Sequence, residues 1–293
     1  MEERPLSRSA TLLIYCPDQK GVVAAVSSFL FQHEANILHA DQHQDHDLKL
    51  FFMRVEWDLT DFNLSADEFR QHFTPLAERF EMDWSIAHAE HRPAMAVFVS
   101  QHLHCLVDLL FRYSIGDLNC YIPFIISNHA TARELAEFYK IPFHYIPSPN
   151  GKEAAGKVAM ERAQAELLAH HGVELIVLAR YMQVLSPEFV RQYPQRIINV
   201  HHSFLPAFTG ARPYHAAHQR GVKLIGATSH YVTEELDEGP IIEQDVARVS
   251  HRDQIPDLVR MGRDLECRVL SKAVQWHLES RILHYSGKTV VFD

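Results

Sequence analysis

Apolar positions along the chain follow two different regimes, and the change between them divides it. Residues 10–15 are a short apolar run, and Val22, Val23, Val26, Phe29 and Leu30 then recur at helical spacing up to about residue 33. Residues 36–43 and 48–57 read as two strands joined through Gln44-Asp-His-Asp47. Ser65 is a good helix N-cap ahead of a pattern that runs to Arg79, and residues 82–87 supply a last strand. The predicted order is βαββαβ, a small ferredoxin-like unit. From Met95 onward strands alternate with helices: strands over 95–99, 120–127, 143–146, 175–179 and 196–200, helices over 103–113, 132–139 and 152–170. That succession predicts an α/β, Rossmann-like, mostly parallel sheet. A loop at 209–213, a short helix at 214–220, strands at 224–232 and 241–249, a helix over 254–279 and a hairpin around Ser286-Gly-Lys288 complete the chain. The stretch Ala87-His-Ala-Glu-His-Arg-Pro-Ala94 is polar, aperiodic and proline-bearing. It marks domains at 1–88 and 95–293 with a linker at 89–94, so the C-terminal helix and hairpin are expected in the second domain.

Composition narrows the function classes. With 28 Lys and Arg against 37 Asp and Glu, the net charge of −9 opposes binding to nucleic acid or an anionic membrane, and no basic patch offsets it. The start, MEERPLSRSA, lacks an apolar core of signal-peptide length, and no apolar run approaches the roughly 20 residues of a membrane span. Cys16, Cys105, Cys120 and Cys267 lie far apart, which fits reduced thiols and a cytoplasmic protein. The 21 histidines raise the question of a metal. His201-His202, His215-x-x-His218 and His102-x-His104 are suggestive spacings, but no Cys/His quartet and no His-Glu-x-x-His helix is present, so no metal is expected.

The stretch RIINVHHSFLP, residues 196–206, is the chief chemical candidate. Ile197 and Ile198 carry a strand into a polar end, and open α/β sheets gather ligands at the carboxyl ends of their strands. Asn199 and His201, two apart on an extended chain, share a face and suit one reacting atom, whereas His202 is expected to point the other way. Alone, this is also what a merely polar strand end looks like. Asp237 sits in the acidic connection 233–239, just before Gly239. In isolation it reads as a solvated turn carboxylate. The first strand–helix junction of the second domain, Ser100-Gln-His-Leu-His-Cys105, has no glycine, which argues against a dinucleotide cofactor and a phosphate loop alike.

Two resemblances follow from these residues. Residues 8–88 resemble the ACT domain, chiefly through the first strand, the Pro-Asp-x-x-Gly21 turn and the Val-Val helix start. The resemblance implies a small, amino-acid-like effector near Asp18, Gly21 and Val22, and a homo-oligomer. Asn199-x-His201, Ser203, Leu205-Pro206 and then Asp237 in Asp-x-Gly-x-Ile-Ile, 36 positions after His201, are similar to the signature of the folate-dependent formyltransferase and hydrolase superfamily. An ACT-like unit joined to such a domain resembles its hydrolytic branch, which converts 10-formyltetrahydrofolate to tetrahydrofolate and formate, with the folate as substrate and no cofactor. It implies Asn199, His201 and Asp237 as catalytic residues. The family's pterin slot maps onto Met182, Gln183 and Leu185 on one side and Val232, Thr233, Glu234 and Leu236 on the other. Two alternatives remain. The first is formyl transfer to glycinamide ribonucleotide, disfavoured because that phosphate is held in relatives by a glycine-containing loop where this chain has Ser100–Cys105. The second is a non-enzymatic sensor of folate and effector, disfavoured by the intact set of three polar residues.

Overall fold

The computed structural model describes residues 8–149, 154–206 and 213–292. The chain divides into two compact units, Met1–Arg92 together with Glu279–Asp293, and Pro93–Leu278.

In the first unit β1 (Ser9–Pro17), α1 (Val22–Gln32), β2 (Asn36–Asp45), β3 (Leu50–Asp58), α2 (Ala66–Arg79) and β4 (Asp83–His88) follow the predicted order. The four strands form an antiparallel sheet in the order β2-β3-β1-β4. Local chemistry starts both helices. Gly21 takes a left-handed φ of 94° ahead of α1, which an L side chain adopts only with strain. Ser65 and Glu68 form a reciprocal capping box at α2. Strand alternation then sorts the side chains. Leu12, Ile14, Met53, Val55 and Trp57 face α1 and α2 and pack with Val26, Leu30, Phe69 and Phe73.

The opposite face of this sheet is apolar too, and it explains the one departure in domain organisation. Leu13 and Phe52 point there and are covered by the terminal hairpin, β12 (Ile282–Tyr285) and β13 (Lys288–Val291), through Leu283, Tyr285 and Phe292. The Phe52 and Tyr285 ring centroids are 4.5 Å apart, and Arg54 Nε donates to the carbonyl of Ser280 at 3.1 Å. The hairpin therefore belongs to the first unit and not to the second domain, as the boundary at 95–293 had it. A two-stranded hairpin is marginal alone, and this sheet face is what it buries against.

The second unit is built on a seven-stranded sheet in the order β11-β10-β9-β8-β5-β6-β7. Its parallel part comprises β5 (Met95–Val99), β6 (Ile125–Ser127), β7 (Phe143–Tyr145), β8 (Leu175–Ala179) and β9 (Ile197–His201). Around it lie α3 (His104–Ser114), α4 (Arg133–Phe138), α5 (Ala154–His170), α6 (Pro187–Val190), α7 (Pro213–Arg220) and α8 (Ile255–Leu278). β10 (Leu224–Tyr231) and β11 (Ile241–Arg248) extend the sheet antiparallel. Strand β6 is shorter than the predicted 120–127: Tyr121 makes only an isolated bridge to Ala94, and Pro123, two residues on, lacks the N–H a ladder needs. Helix α6 was not anticipated, although Ser186 before Pro187 is its N-cap and accepts from Phe189 N–H. The loop at 209–212 and the predicted first residues of the 152–170 helix lie outside the described residues. Among the described residues no helix is long and apolar enough to cross a membrane.

Phe52→Ala should destabilise the protein by about 3–5 kcal/mol in denaturant unfolding and release residues 282–291 to early amide exchange. Unchanged protection of that hairpin would contradict its docking on the Phe52 face.

Candidate active site

The site forms where the sheet changes direction. β9 runs parallel to β8 while β10 runs antiparallel to β9, placing His230 opposite Asn199 and Thr228 opposite His201. Asn199 Nδ2 lies 3.2 Å from His230 Nε2, and His230 Nδ1 lies 2.9 Å from the carbonyl of Tyr231. A carbonyl only accepts, so His230 Nδ1 carries the proton and its Nε2 accepts from the Asn199 amide. Burial lowers the pKa of His230 and so favours this neutral ring. The Asn199 side chain is thereby fixed with its nitrogen towards His230, and its second N–H remains for a ligand. His230 was not singled out in the sequence. Its signal, a histidine inside an otherwise uncharged and almost wholly buried strand, gains meaning only once the register against Asn199 is known.

His201 and Asp237 meet as the spacing implied. Nδ1 of His201 is 3.2 Å from Asp237 Oδ1, and its Nε2 is buried without a hydrogen-bond partner. The hydrogen bond from His201 holds the Asp237 carboxyl below its usual range against the opposing effect of burial. The loop that brings Asp237 back is geometrically demanding. Asp237 has a left-handed φ of 59°, tolerated best by Gly, Asn and Asp. At Gly239 a Cβ would lie 1.7 Å from the carbonyl oxygen of Tyr231, so only glycine passes there.

His202 departs from expectation. The strand ends at His201 and the chain bends, so the period-two rule stops applying. The two imidazoles stack with centroids 5.1 Å apart and planes at 19°. Burial, with the charge of Arg180 and His201, pushes the His202 pKa down to about 4. The following residues are tied to β10, since Thr228 Oγ1 donates to the Ser203 carbonyl at 2.9 Å and accepts from Leu205 N–H at 3.1 Å.

The residues mapped to a pterin slot divide into two groups. Leu185, like the neighbouring Tyr181, is buried in the core of the second unit with Val232 packed against that core, whereas Met182 and Leu236 are exposed. Some backbone groups there are already engaged. Met182 N–H donates to Ser100 Oγ at 3.0 Å, the Met182 carbonyl accepts from Gln183 Nε2, and Val232 N–H donates to Ile197 O at 2.9 Å. Thr233 Oγ1 donates to the Glu235 carbonyl and Glu234 lies 3.5 Å from Arg191 Nε. Ser100, not anticipated as a site residue, also donates to Asn128 Oδ1 at 2.7 Å and so joins the ends of three strands. In the first unit Gln44 Nε2 donates to Asp18 Oδ1 at 3.1 Å, and Val22 is buried at the start of α1.

Only one group of three metal-ligand side chains stands close together among the described residues: His104, Cys105 and Glu266. Both Glu266 oxygens are engaged, Oε2 by His104 Nε2 at 2.6 Å and by Arg180 Nε at 3.4 Å, Oε1 by Tyr214 OH at 2.8 Å. An adjacent guanidinium opposes a cation there.

Comparison with known proteins now decides between the branches. Residues 94–274 match the Formyl transferase family and residues 10–71 the ACT domain family. A formyltetrahydrofolate deformylase of Synechocystis sp. is 52% identical over 284 residues, which is 97% of this chain and 98% of the relative. The chain belongs to the formyltetrahydrofolate deformylase family. Another member, from Bacillus subtilis, is 50% identical over 96% of this chain and 93% of its own. The crystal structure of a formyltetrahydrofolate deformylase from Pseudomonas syringae pv. tomato superposes with a TM-score of 0.93 at 48% identity, covering 98% of this chain and 95% of that one. A glycinamide ribonucleotide transformylase from Symbiobacterium toebii reaches a TM-score of 0.65 at 30% identity and covers 69% of this chain and 95% of its own. The transformylase thus matches only part of this chain over nearly the whole of its own, whereas the deformylases match both nearly throughout.

His202 yields a pH prediction. Its folded pKa of about 4 lies below the ordinary 6.5, so on acidification the unfolded chain binds the proton first. Its contribution is intact above about pH 6.5 and is lost progressively down to about pH 4, at up to about 1.4 kcal/mol per pH unit. His202→Asn should flatten the stability–pH curve by one proton in that window. A slope unchanged by the substitution would contradict the buried neutral ring.

Proposed function

We propose that this chain hydrolyses 10-formyltetrahydrofolate to tetrahydrofolate and formate, with Asn199, His201 and Asp237 acting as one unit. The observation that carries the assignment of roles is the buried, unpartnered Nε2 of His201, whose Nδ1 lies 3.2 Å from Asp237 beside the oriented Asn199 amide. Water adds to the formyl carbon, and the negative charge that develops on the formyl oxygen is met by the Asn199 N–H and by His201 Nε2–H. Collapse breaks the C–N bond. N10 leaves with a proton delivered through His201, and the added water oxygen remains in formate, the water's protons being shared between N10 and solvent. Asp237 holds the imidazolium and accepts a hydrogen bond from the attacking water. The carboxylate stays ionised for this because the hydrogen bond from His201 lowers its pKa.

The pterin is read along the segment Tyr181–Leu185 and across from it along Val232–Leu236. With the Met182 and Val232 N–H groups already used inside the fold, the remaining backbone groups around Met182, Gln183 and Leu185 and along Val232, Thr233, Glu234 and Leu236 carry the polar edge recognition. No cofactor or metal takes part, and the enzyme works in the cytoplasm, where the formate it releases feeds purine synthesis or balances the one-carbon folates. The ACT-like unit binds a small amino-acid-like effector at Asp18, Gly21 and Val22, where α1 opens on a glycine with backbone N–H groups free to approach a carboxylate. It does so within a homo-oligomer.

Asp237→Asn should lower formate release by about 10²–10³-fold without altering the unfolding midpoint by more than a few degrees, and near-normal turnover would refute the role of the carboxylate. Wild-type protein should release formate without glycinamide ribonucleotide, and product that requires the ribonucleotide would overturn hydrolysis in favour of transfer. Screening free amino acids against turnover should find at least one whose effect disappears in Asp18→Ala. A response that survives the substitution would place the effector elsewhere.

A further inference from the structure

Beside the catalytic residues lies a second polar cluster that the mechanism does not use. A chain of contacts leads to it from His201: the His201 ring stacks on His202, the His202 and Tyr214 centroids are 6.3 Å apart, and Tyr214 OH donates to Glu266 Oε1. Arg180 stands at its end, Nε 3.4 Å from Glu266 Oε2. The Arg180 backbone is locked, with a left-handed φ of 61°, its N–H donating to Leu178 O and its carbonyl accepting from Ser100 N–H. Its side chain is only 11% exposed, and its buried Nη1 has neither a hydrogen-bond nor an ion-pair partner, while Nε meets only Glu266, without hydrogen-bond geometry. Glu266 does not meet both arms of the guanidinium because His104 and Tyr214 already engage its oxygens at 2.6 and 2.8 Å. Buried guanidinium donors left unpaired are costly, and native sites retain them where a small ligand or ordered water completes the geometry.

The reaction supplies such a ligand. Hydrolysis converts a neutral formamide into a carboxylate, and the charge appears next to Asp237, itself an anion. Two carboxylates side by side repel each other, and a planar two-donor guanidinium edge matches a small carboxylate better than any ammonium does. We propose that Arg180 forms a receiving site for the formate anion, taking it through Nη1 and its neighbouring donor after C–N cleavage and drawing it away from Asp237. The inference rests on the deformylase reading for its ligand, but the anion site itself stands on the geometry of Arg180. Glu266, His104 and Tyr214 are positioning residues in this scheme, holding the guanidinium through Glu266 without filling it.

The test needs no turnover. Full-length protein is titrated with ¹³C-formate and the formate resonance followed for saturable broadening, in wild type and in Arg180→Met and Arg180→Lys, each checked for native circular dichroism and melting. Saturable broadening in wild type that is competed by unlabelled formate, lost in Arg180→Met and weakened at least severalfold in Arg180→Lys supports the site. If Arg180→Met does not fold, the Lys variant decides. Absence of saturable binding in wild type, or binding unchanged in the folded variants, overturns it. In parallel, product inhibition separates a receiving site from a scaffold: Arg180→Lys should raise the inhibition constant for formate and leave that for tetrahydrofolate in place, whereas an equal rise in both marks a purely structural residue and overturns the proposal. Failure of wild type to release formate from 10-formyltetrahydrofolate would instead count against the activity, and the titration would still report on the anion site.

Discussion

The antiparallel pairing of β10 with β9 is the constraint on which the site depends. In a purely parallel continuation the next strand would run with β9, and its following loop would leave from the same edge. Here the reversal sets His230 opposite Asn199, so that one hydrogen bond fixes the amide, and it starts the return loop that carries Asp237 over His201. The loop closes because Asp237 tolerates a left-handed backbone and Gly239 passes against the Tyr231 carbonyl. A one-residue slip in that pairing would turn His230 to the other face and dissolve the arrangement.

Electrostatically, three histidines and one carboxylate share a poorly solvated corner, and the fold holds two of the histidines neutral. His230 is kept neutral by burial and by its bond to a carbonyl, which is what allows it to accept from Asn199. His202 is kept neutral by burial and by Arg180, so that it stacks on His201 without adding a competing charge. Among the described histidines His201 stands nearest Asp237, Nδ1 at 3.2 Å, with His230 Nε2 farther off at 3.9 Å. The buried, unpartnered Nε2 of His201 is the imidazole nitrogen to which the proposed proton transfer is assigned.

Much of this was legible in the chain. The strand and helix periods located both units, Ser65 marked the start of α2, and the Asn199, His201 and Asp237 spacing paired with an ACT-like unit pointed to the family before any coordinates. What escaped depended on tertiary placement. His230 and Ser100 matter through partners 31 and 28 positions away, Asn199 and Asn128 respectively, and no local period reports such pairs. His202 was misdirected because a strand rule was extended one residue past the strand. The terminal hairpin was assigned to its neighbour in sequence, while the apolar face awaiting it, Leu13 and Phe52, lay at the other end of the chain.

The central claim is that water held by Asp237 adds to the formyl carbon while Asn199 and His201 take the charge that develops on the formyl oxygen. Isotope transfer tests it most directly: wild-type protein is incubated with 10-formyltetrahydrofolate in ¹⁸O-water and the formate analysed by mass spectrometry before any chemical exchange. The account predicts one labelled oxygen in each formate released. Formate without label, or no formate until an amine acceptor is added, would contradict it.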